Sequence, residues 1–466
     1  MTDLYQFTMM QGYFNGGGHK KTAVFDLFFR PVGAFNYAVA AGLESAVKYI
    51  QELKFSDDDI NYLAGTGLFT PDFLDALREF RFTGDVRAVE EGTIVFPHEP
   101  LLTVEAPIWE AQLIESALLN IINHQSLIAS KASRIAGTAA PAQVMEFGLR
   151  RAQGPDAGIF GARSAVIAGC SSTSNVLAAK MFGLTAAGTH SHSWVLSFPS
   201  ELESFRAYAA SYPDSCVLLV DTYDTLKSGV PNAITVFKEL QESCRKPVGI
   251  RLDSGDLAYL SKTARKMLDA AGFPNAKIIA SGDIDENTIL HLKSQGAQID
   301  IYGVGTKLIT SDNMPALGGV YKLAAVEQGG ALSPRMKISD NIEKTTNPGK
   351  KRLYRIYTPD GMATADLIAL DGEKLKKPLT LTHPVERWKT MTLEDYTARD
   401  LHKQVFKKGK LVYKLPTLTE IIEYHERELK TFWDEYKRLV NPHIYKVDLS
   451  DGLYKLKQRI LLGFRD

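Results

Sequence analysis

Two histidines, His190 and His192, lie two residues apart in the polar stretch Gly188–Trp194, directly after an apolar run. An imidazole at such a position could act as a nucleophile or as an acid and base, because its ordinary pKa lies near neutrality. A His-x-His pair could instead bind a metal ion, although no clear third ligand follows it in the sequence. Two ordinary histidines at a strand end are a further interpretation, and the local pattern alone does not choose among the three.

Acidic residues follow the next apolar run, where Asp221 and Asp224 lie in the segment Val220–Thr225. This segment resembles the loop that binds phosphoribosyl pyrophosphate in another class of phosphoribosyltransferases, in which apolar residues precede acidic residues, threonine and glycine. That interpretation requires an open sheet, which the surrounding segments do not favour. A carboxylate on the next strand could instead orient and activate a histidine, as in other chains of acid, base and nucleophile.

A third cluster, Arg251–Asp256, packs two aspartates and an arginine into six residues after another apolar run. Asp253 could accept hydrogen bonds from ribose hydroxyls, and Arg251 could bind a flat ring or a phosphate. The next two runs end in Gly282-Asp283 and in Gly303–Thr306. Glycines allow close backbone approach, so the N–H groups of Gly305 and Thr306 could hold a phosphate at a helix start. A surface ion pair is the alternative explanation for the Arg251–Asp256 charges.

These polar clusters all end short Val-, Ile- and Leu-rich runs, and helical stretches separate most of the runs. The runs lie at Gln143–Arg151, Leu184–Ser193, Cys216–Thr225, Val248–Asp256, Ala276–Asp285 and Ile299–Leu308. Apolar runs without alternation are typical of strands buried on both faces, and strands that alternate with helices indicate a parallel sheet. We therefore predict an irregular α/β barrel over residues 108–317, with its active site at the carboxyl ends of the strands.

The flanks of this region mix helical and strand-like stretches and become richer in strands and in basic residues after about Gly318. We predict that residues 1–107 and 318–466 form one discontinuous second α+β domain. A length of 466 residues fits two such domains better than one small core.

The overall charge excludes an evident nucleic-acid binder, because 54 basic residues balance 54 acidic ones. Three cysteines without a Cys-x-x-Cys pair fit a reducing compartment rather than a zinc site. The first residues show no basic region followed by an apolar core, and no apolar run approaches the ~20 residues that span a bilayer. We therefore expect a cytoplasmic protein without nucleic-acid or membrane partners.

Four motifs in order resemble the nicotinate phosphoribosyltransferase family. They are Thr2–Met9, Glu146–Pro155, Gly188–Ser193 and Arg251–Asp256. The later pieces Lys337–Ser339 and Pro348–Lys350 continue the similarity over almost the whole chain. Each motif alone is modest, but the ordered set is highly specific. The resemblance implies that nicotinate and phosphoribosyl pyrophosphate condense to nicotinate mononucleotide with ATP hydrolysis, the first step of NAD biosynthesis from nicotinate.

The resemblance also implies a role for each matching position. His192 is the histidine that ATP phosphorylates, and Asp221 is the carboxylate beside it. The nicotinate contacts are Tyr5, Phe147, Arg150, Thr189 and Arg251. The phosphoribosyl pyrophosphate contacts are Arg30, Asp253, Gly282, Asp283, Gly305 and Thr306. Asp283 belongs to the region that holds Mg²⁺ or Mn²⁺. Tyr5 and Arg30 are expected from a partner subunit, which implies a homodimer with shared active sites.

The substrate could also be nicotinamide, since the two kinds of enzyme are relatives. Nicotinamide-using relatives place an aspartate after a glycine-containing turn, whereas this chain has no carboxylate in Ala168–Asn175. We place the position at Ser171 or Ser172, and its neutral side chain favours the acid. A phosphosugar lyase is a rival that would need a Schiff-base lysine or a metal cluster at a strand end, and Lys307 is the only obvious lysine there. A barrel that binds phosphoribosyl ligands without turnover is the rival that is not an enzyme.

Overall fold

The structure is a computed structural model that describes residues 1–31, 35–339, 344–386 and 388–463. The chain divides into two compact units. The first unit comprises Met1–Ser130 with Ala316–Asp466, and the second comprises Lys131–Pro315.

The N-terminal part contains short strands between helices. Its helices are α1 (Leu4–Asn15), α2 (Leu43–Glu52), α3 (Asp57–Gly65), α4 (Pro71–Arg78), α5 (Ile108–Leu113) and α6 (Glu115–Ala139). Its strands are β1 (Thr22–Phe29), β2 (Ala38–Val39), β3 (Asp85–Val89), β4 (Ile94–Val95) and β5 (Leu102–Pro107). Ser56 and Asp59 form a capping box that starts α3, and Pro71 fits the first turn of α4.

The second unit alternates strands and helices. Its strands are β6 (Gln143–Glu146), β7 (Ser172–Thr173), β8 (Val217–Leu219), β9 (Gly249–Leu252), β10 (Lys277–Gly282) and β11 (Ile301–Val304). Its helices are α7 (Pro155–Ile167), α8 (Val176–Phe182), α9 (His192–Leu196), α10 (Glu201–Ser211), α11 (Val230–Glu242), α12 (Leu257–Ala270), α13 (Glu286–Ser294) and α14 (Thr306–Ile309). A 3₁₀ turn covers Leu149–Arg151, and a π turn covers Thr225–Gly229.

All six strands of this unit are parallel, in the order β7-β6-β11-β10-β9-β8. The pairs Leu219–Arg251, Gly282–Val304 and Glu146–Val304 bring the carboxyl ends of five strands to one edge. Helices α11 and α12 pack against the sheet with fully buried side chains such as Phe237. The parallel sheet predicted from the apolar runs is confirmed, and its strand ends carry the predicted polar clusters.

The strand predicted at Leu184–Ser193 is wrong. One isolated parallel bridge joins Ala186 to Thr173, and this segment forms no other strand pairing in the part of the chain that the structure describes. Thr185 and Ala186 are exposed, because this stretch lacks the bulky apolar side chains that bury a strand. A strand that the sequence did not reveal, β7, takes the place beside β6. Closure of the sheet into a barrel stays a prediction, since β7 and β8 end the hydrogen-bonded order.

The C-terminal part of the first unit is rich in strands. They are β12 (Gly319–Gln328), β13 (Ala331–Pro334), β14 (Lys351–Tyr357), β15 (Ala363–Leu370), β16 (Leu379–Thr382), β17 (Thr390–Leu393), β18 (Thr397–Asp400), β19 (His402–Lys407), β20 (Lys410–Leu411) and β21 (Lys446–Leu449). The helices are α15 (Leu418–Lys430), α16 (Asp434–Lys437) and α17 (Asp451–Leu462).

The two flanks of the chain meet in one sheet, in which β1 pairs antiparallel with both β5 and β12. This seven-stranded sheet has the order β13-β12-β1-β5-β3-β19-β20, and a mixed sheet has the order β17-β16-β21-β15-β14-β18. The predicted α+β part built from both flanks is therefore confirmed. Among the described helices, none combines the length and the hydropathy needed to cross a bilayer.

Candidate active site

The turn after β6 is held by a buried glutamate beneath it. The Glu146 carboxylate accepts the Gly148 N–H and the Thr173 hydroxyl, and burial raises its pKa. The turn places the Phe147 ring over Gly303, where a β-carbon would lie 2.6 Å from a ring carbon. Only glycine allows this approach. One aromatic ring is thereby fixed against the end of β11.

Arg251 extends from β9 with a side chain that is only 14% exposed. Its Nη1 donates to the Thr189 hydroxyl and, over 3.3 Å, to the His190 carbonyl. Its Nη2 lies 3.7 Å from the Asp253 carboxylate. Burial lowers the pKa of Arg251, and the Asp253 and Asp221 charges oppose this. The Nε–H is buried without a partner in the part of the chain that the structure describes. A ligand acceptor could satisfy this donor.

His192 and Asp221 meet as predicted. Nε2 of His192 lies 3.1 Å from Oδ1 of Asp221. The carboxylate is 2% exposed, whereas the imidazole is 39% exposed. The other carboxylate oxygen accepts the Asp253 N–H over 2.9 Å and the Ser254 hydroxyl over 2.6 Å. The buried Asp221 carboxylate therefore bonds the loop after β9 through one oxygen and Nε2 of the partly exposed His192 through the other.

His190 has a different environment, although it is only two residues away. Its ring is buried, and Nε2 accepts the Leu219 N–H over 3.1 Å. Burial lowers the pKa of His190 to about 4, and the Arg251 and His192 charges add to this effect. Accepting an N–H requires a neutral imidazole nitrogen. His190 thus takes the place of a backbone acceptor beside β8, and the catalytic role of His192 stays a prediction.

A cavity of about 440 Å³ opens at these strand ends. Its walls include nine of the predicted site residues: Phe147, Arg150, Thr189, Arg251, Asp253, Gly282, Asp283, Gly305 and Thr306. Gly282 has a φ of +116°, and a β-carbon there would lie 2.9 Å from the Asp253 carbonyl oxygen. The phosphate and ribose candidates therefore face one space together with the aromatic ring.

Ser174, not Ser171 or Ser172, is the serine of its segment that lines this cavity. Ser171 donates instead to the Val144 carbonyl over 3.1 Å, and Ser172 is buried. Ser174 lies two or three residues after the position expected from the sequence, Ser171 or Ser172, and which residue meets the substrate stays a prediction. Ser281 lines the cavity, and Ser254 and Glu146 hold groups outside its walls; we did not assign these three residues from the sequence. A serine hydroxyl carries no spacing signal that could have revealed its partner.

Lys307, the lysine that a lyase would need, forms ion pairs with two carboxylates. Its Nζ lies 3.3 Å from the Asp285 carboxylate and 3.9 Å from that of Asp312. Burial lowers its pKa, but these carboxylates outweigh burial and raise the pKa overall. An amine kept protonated is a poor nucleophile, which disfavours Schiff-base chemistry at this position.

Tyr5 and Arg30 belong to the first unit, and their predicted roles stay predictions. Tyr5 lies on α1 and is 48% exposed. Arg30 directly follows β1, and its N–H donates to the Gly318 carbonyl.

Known proteins resemble this chain along its whole length. Residues 1–123 match the N-terminal domain of nicotinate phosphoribosyltransferase, and residues 350–457 match the C-terminal domain. The chain is 50% identical to nicotinate phosphoribosyltransferase of Bacillus subtilis, and the alignment covers 98% of this chain and 94% of that protein. The chain belongs to the nicotinate phosphoribosyltransferase family.

Other members of the family resemble the chain as well, and one more distant structure shares its fold. Human nicotinate phosphoribosyltransferase is 34% identical over 99% of this chain and 96% of its own length. The crystal structure of the human nicotinic acid phosphoribosyltransferase superposes with a TM-score of 0.88 at 32% identity, covering 99% of this chain and 100% of that chain. A Pyrococcus furiosus nicotinate-nucleotide pyrophosphorylase shares the fold, with a TM-score of 0.70 at 23% identity over 92% of this chain and 95% of that one.

Proposed function

We propose that this member of the nicotinate phosphoribosyltransferase family joins nicotinate to phosphoribosyl pyrophosphate, coupled to ATP hydrolysis, in the first step of NAD biosynthesis from nicotinate. The observation that carries the proposal is one cavity lined by an aromatic ring, a buried arginine with an unpartnered donor, and the Asp253 carboxylate. A flat acid and a sugar phosphate need this combination of groups. The 50% identity to a named nicotinate phosphoribosyltransferase adds independent support.

The pyridine ring is proposed to lie on Phe147, with its carboxylate directed toward Arg251. The free Nε–H of Arg251 supports this, because a carboxylate is a good acceptor for a buried guanidinium. Thr189 and the exposed Arg150 would complete the contacts to the acid. Ser174, being neutral, would not repel the carboxylate of nicotinate.

The phosphoribosyl group is proposed to bind at the ends of β9, β10 and β11. Asp253 would accept ribose hydroxyls, while Gly282, Asp283, Gly305 and Thr306 would contact the phosphates. In the transfer step the nicotinate ring nitrogen forms a bond to C1 of the ribose as the C1–oxygen bond breaks and pyrophosphate leaves. Positioning and the negative charge of Asp253 beside a cation-like ribose would supply most of the acceleration.

A divalent cation, Mg²⁺ or Mn²⁺, fits this site only together with the substrate. Among the described residues, no group of three or more histidine, cysteine or acidic side chains could hold a metal ion. Asp283 offers one exposed carboxylate in the cavity. One carboxylate fits an ion that takes most of its ligands from phosphates and water. When bound, such an ion would stabilise the charge of the leaving pyrophosphate.

ATP is proposed to phosphorylate His192 at Nδ1. Nε2 bonds the buried Asp221 carboxylate, so that bond keeps a proton on Nε2 and leaves the Nδ1 lone pair free. Nδ1 would form a bond to the γ-phosphorus as its bond to the bridging oxygen breaks, and ADP leaves. The phosphoryl group would later pass to water, which completes ATP hydrolysis.

A homodimer with shared active sites is proposed from the resemblance. Tyr5 would contact the pyridine ring of nicotinate bound in the active site of the partner subunit. Arg30 would contact the phosphates of phosphoribosyl pyrophosphate bound there. The 48% exposure of Tyr5 on the N-terminal helix supports a role outside its own core. An enzyme that sediments as a fully active monomer would contradict the shared site.

A cytoplasmic location is proposed from the sparse, unpaired cysteines.

One assay tests the reaction: nicotinate against nicotinamide, each with phosphoribosyl pyrophosphate and with or without ATP. We expect nicotinate mononucleotide as the product, formed faster with ATP. Preference for nicotinamide would show that the chain has the activity of the nicotinamide-using relatives.

A labelling experiment tests the histidine. Incubation with γ-labelled ATP should give an acid-labile, base-stable phosphoprotein, and His192→Ala should give none. That variant should lose ATP stimulation but keep slow ATP-independent transfer, because the ribose and ring contacts remain. A label that persists in His192→Ala and disappears in His190→Gln would show that His190, not His192, is the phosphorylated histidine.

A further inference from the structure

Asp221 is fixed by groups that belong to a different strand end. Its carboxylate is almost fully buried, and Oδ2 accepts two donors from the loop after β9: the Asp253 N–H and the Ser254 hydroxyl. Only Oδ1 faces His192. A carboxylate rotates about one bond, so the two donors on Oδ2 determine where Oδ1 points. The Ser254 bond, at 2.6 Å, is the shorter of the two.

The loop that carries Ser254 is itself tightly defined. Gly255 has a φ of +79°, and the Asp256 carboxylate accepts the Tyr259 N–H at the start of α12. On the other side, the Asp253 carboxylate accepts the Ser281 hydroxyl and lies near Arg251. Asp253 faces the cavity, whereas Ser254 faces Asp221. A ligand that holds the Asp253 carboxylate in place would therefore also hold the two donors of Asp221.

We propose that Ser254 is a positioning residue that makes phosphorylation of His192 respond to occupancy of the ribose site. The inference rests on the proposed ATP coupling through His192. Ser254 touches neither substrate nor phosphoryl group in this arrangement; it acts through Asp221. A ribose bound to Asp253 holds the loop, the loop holds Oδ2 of Asp221, and Oδ1 then holds His192 with Nδ1 free. Linkage requires the reverse as well, so phosphorylation of His192 strengthens binding of phosphoribosyl pyrophosphate.

Ser254→Ala removes one donor and leaves every group that faces the cavity. We expect the stimulation by ATP to fall about tenfold, the size of effect expected for losing a hydrogen bond to a charged group. ATP-independent transfer should stay within about twofold of the wild type, because Phe147, Arg251 and Asp253 are unchanged. In wild-type protein, phosphoribosyl pyrophosphate should raise the rate of His192 labelling, and in Ser254→Ala it should not. Ser254→Thr keeps the hydroxyl and should restore most of the response.

Two further measurements separate positioning from a general loss of structure. Ser243→Ala is the matched control, since the Ser243 hydroxyl donates to the Glu239 carbonyl at the exposed end of α11. Both alanine variants should have the same melting temperature as the wild type. Nitrogen NMR of the His192 ring should show a proton on Nε2 in the wild type and a mixture of tautomers in Ser254→Ala.

The outcomes distinguish this inference from the proposed function. If wild-type protein is labelled and Ser254→Ala responds to phosphoribosyl pyrophosphate as the wild type does, Ser254 has no positioning role and the proposed reaction stands. If Ser254→Ala loses both transfer rates equally and melts early, its role is structural and the inference is overturned. If wild-type protein is neither labelled nor stimulated by ATP, the proposed coupling fails and this inference fails with it.

Discussion

Arg355 in the first unit and Arg251 in the second are both buried arginines surrounded by acids, yet their donors are used differently. Arg355 donates to both oxygens of Asp366, to Glu428 and to the Ile94 carbonyl over 2.6–2.9 Å. Its guanidinium carbon also lies 4.9 Å from the centre of the Phe432 ring. Arg251 has one carboxylate at 3.7 Å and an Nε–H without a described partner.

The difference teaches how a structural cluster of charges is distinguished from a binding cluster. Where the protein gives every donor nitrogen a partner, as at Arg355, the charges serve the fold and not a ligand. Where a buried donor stays free beside a cavity, a ligand or a water molecule can supply the missing acceptor. The same rule separates His190, whose Nε2 accepts a backbone N–H, from His192, which keeps one nitrogen free.

The largest effect on stability is expected at Arg355, whose donor nitrogens all have partners in the protein. Arg355→Met would leave the Asp366 carboxylate buried without its cation, while Glu428 would keep its pair with Arg399, so the free energy of unfolding should fall by about 3–5 kcal/mol. Urea unfolding measures this, and Arg245→Ala, which removes an exposed pair with Asp214, is the control. A stable Arg355→Met protein would show that the cluster does not need its cation.

At the unsaturated arginine, activity should change more than stability. Arg251→Ala should raise the KM for nicotinate about 10- to 100-fold, since a charged hydrogen bond contributes about 1.5–3 kcal/mol. Arg251→Lys keeps the charge but loses Nε–H, and it should not restore binding. If the lysine variant matches the wild type in steady-state kinetics, charge alone suffices and the free Nε–H is unused.

His190 should make the fold sensitive to mild acid. Its folded pKa of about 4 lies below the ordinary histidine value, so the unfolded chain binds the proton more readily. The stabilisation is complete above about pH 6.5 and is lost as the pH falls toward 4, by about 1–2 kcal/mol at pH 5. His190→Gln, which can still accept the Leu219 N–H, should lack this part of the loss. Urea unfolding of both proteins at pH 7 and pH 5 measures the difference, and equal losses would contradict it.

The smallest effect is expected on nicotinate binding when Ser174, which lines the cavity, is changed. Ser174→Asp should weaken nicotinate binding by about 1 kcal/mol through repulsion of the carboxylate, and leave nicotinamide binding intact. Ser174→Asn has the same size without the charge and should bind nicotinate normally. Ser171→Asp should have no effect, because Ser171 faces away from the cavity. Equal KM values for nicotinate in the Ser174 and Ser171 aspartate variants would show that the acid group lies elsewhere.

Much of the second unit could be predicted from the chain because buried parallel strands need continuous apolar runs. Five of the six predicted runs contain strands, and each ends within a few residues of the predicted polar cluster. The run at Leu184–Ser193 fails because small residues give the same apolar character without filling a core. The predicted domain limits at 107/108 and 317/318 stay a prediction, which limited proteolysis would test.

By itself, the sequence determined the parallel α/β region, the family and the set of residues at the strand ends, because apolar periodicity and ordered motifs are properties of the chain. Only the tertiary structure decided which polar atoms are satisfied. Local spacing gives His190 and His192 equal standing, the family resemblance alone selects His192, and neither assigns a role to Ser254. Thr189, His190 and His192 find their partners Arg251, Leu219 and Asp221 at positions 29 to 62 residues away along the chain, on or shortly after β8 and on β9. A hydrogen bond depends on distances between such strands, which no local pattern of residues encodes.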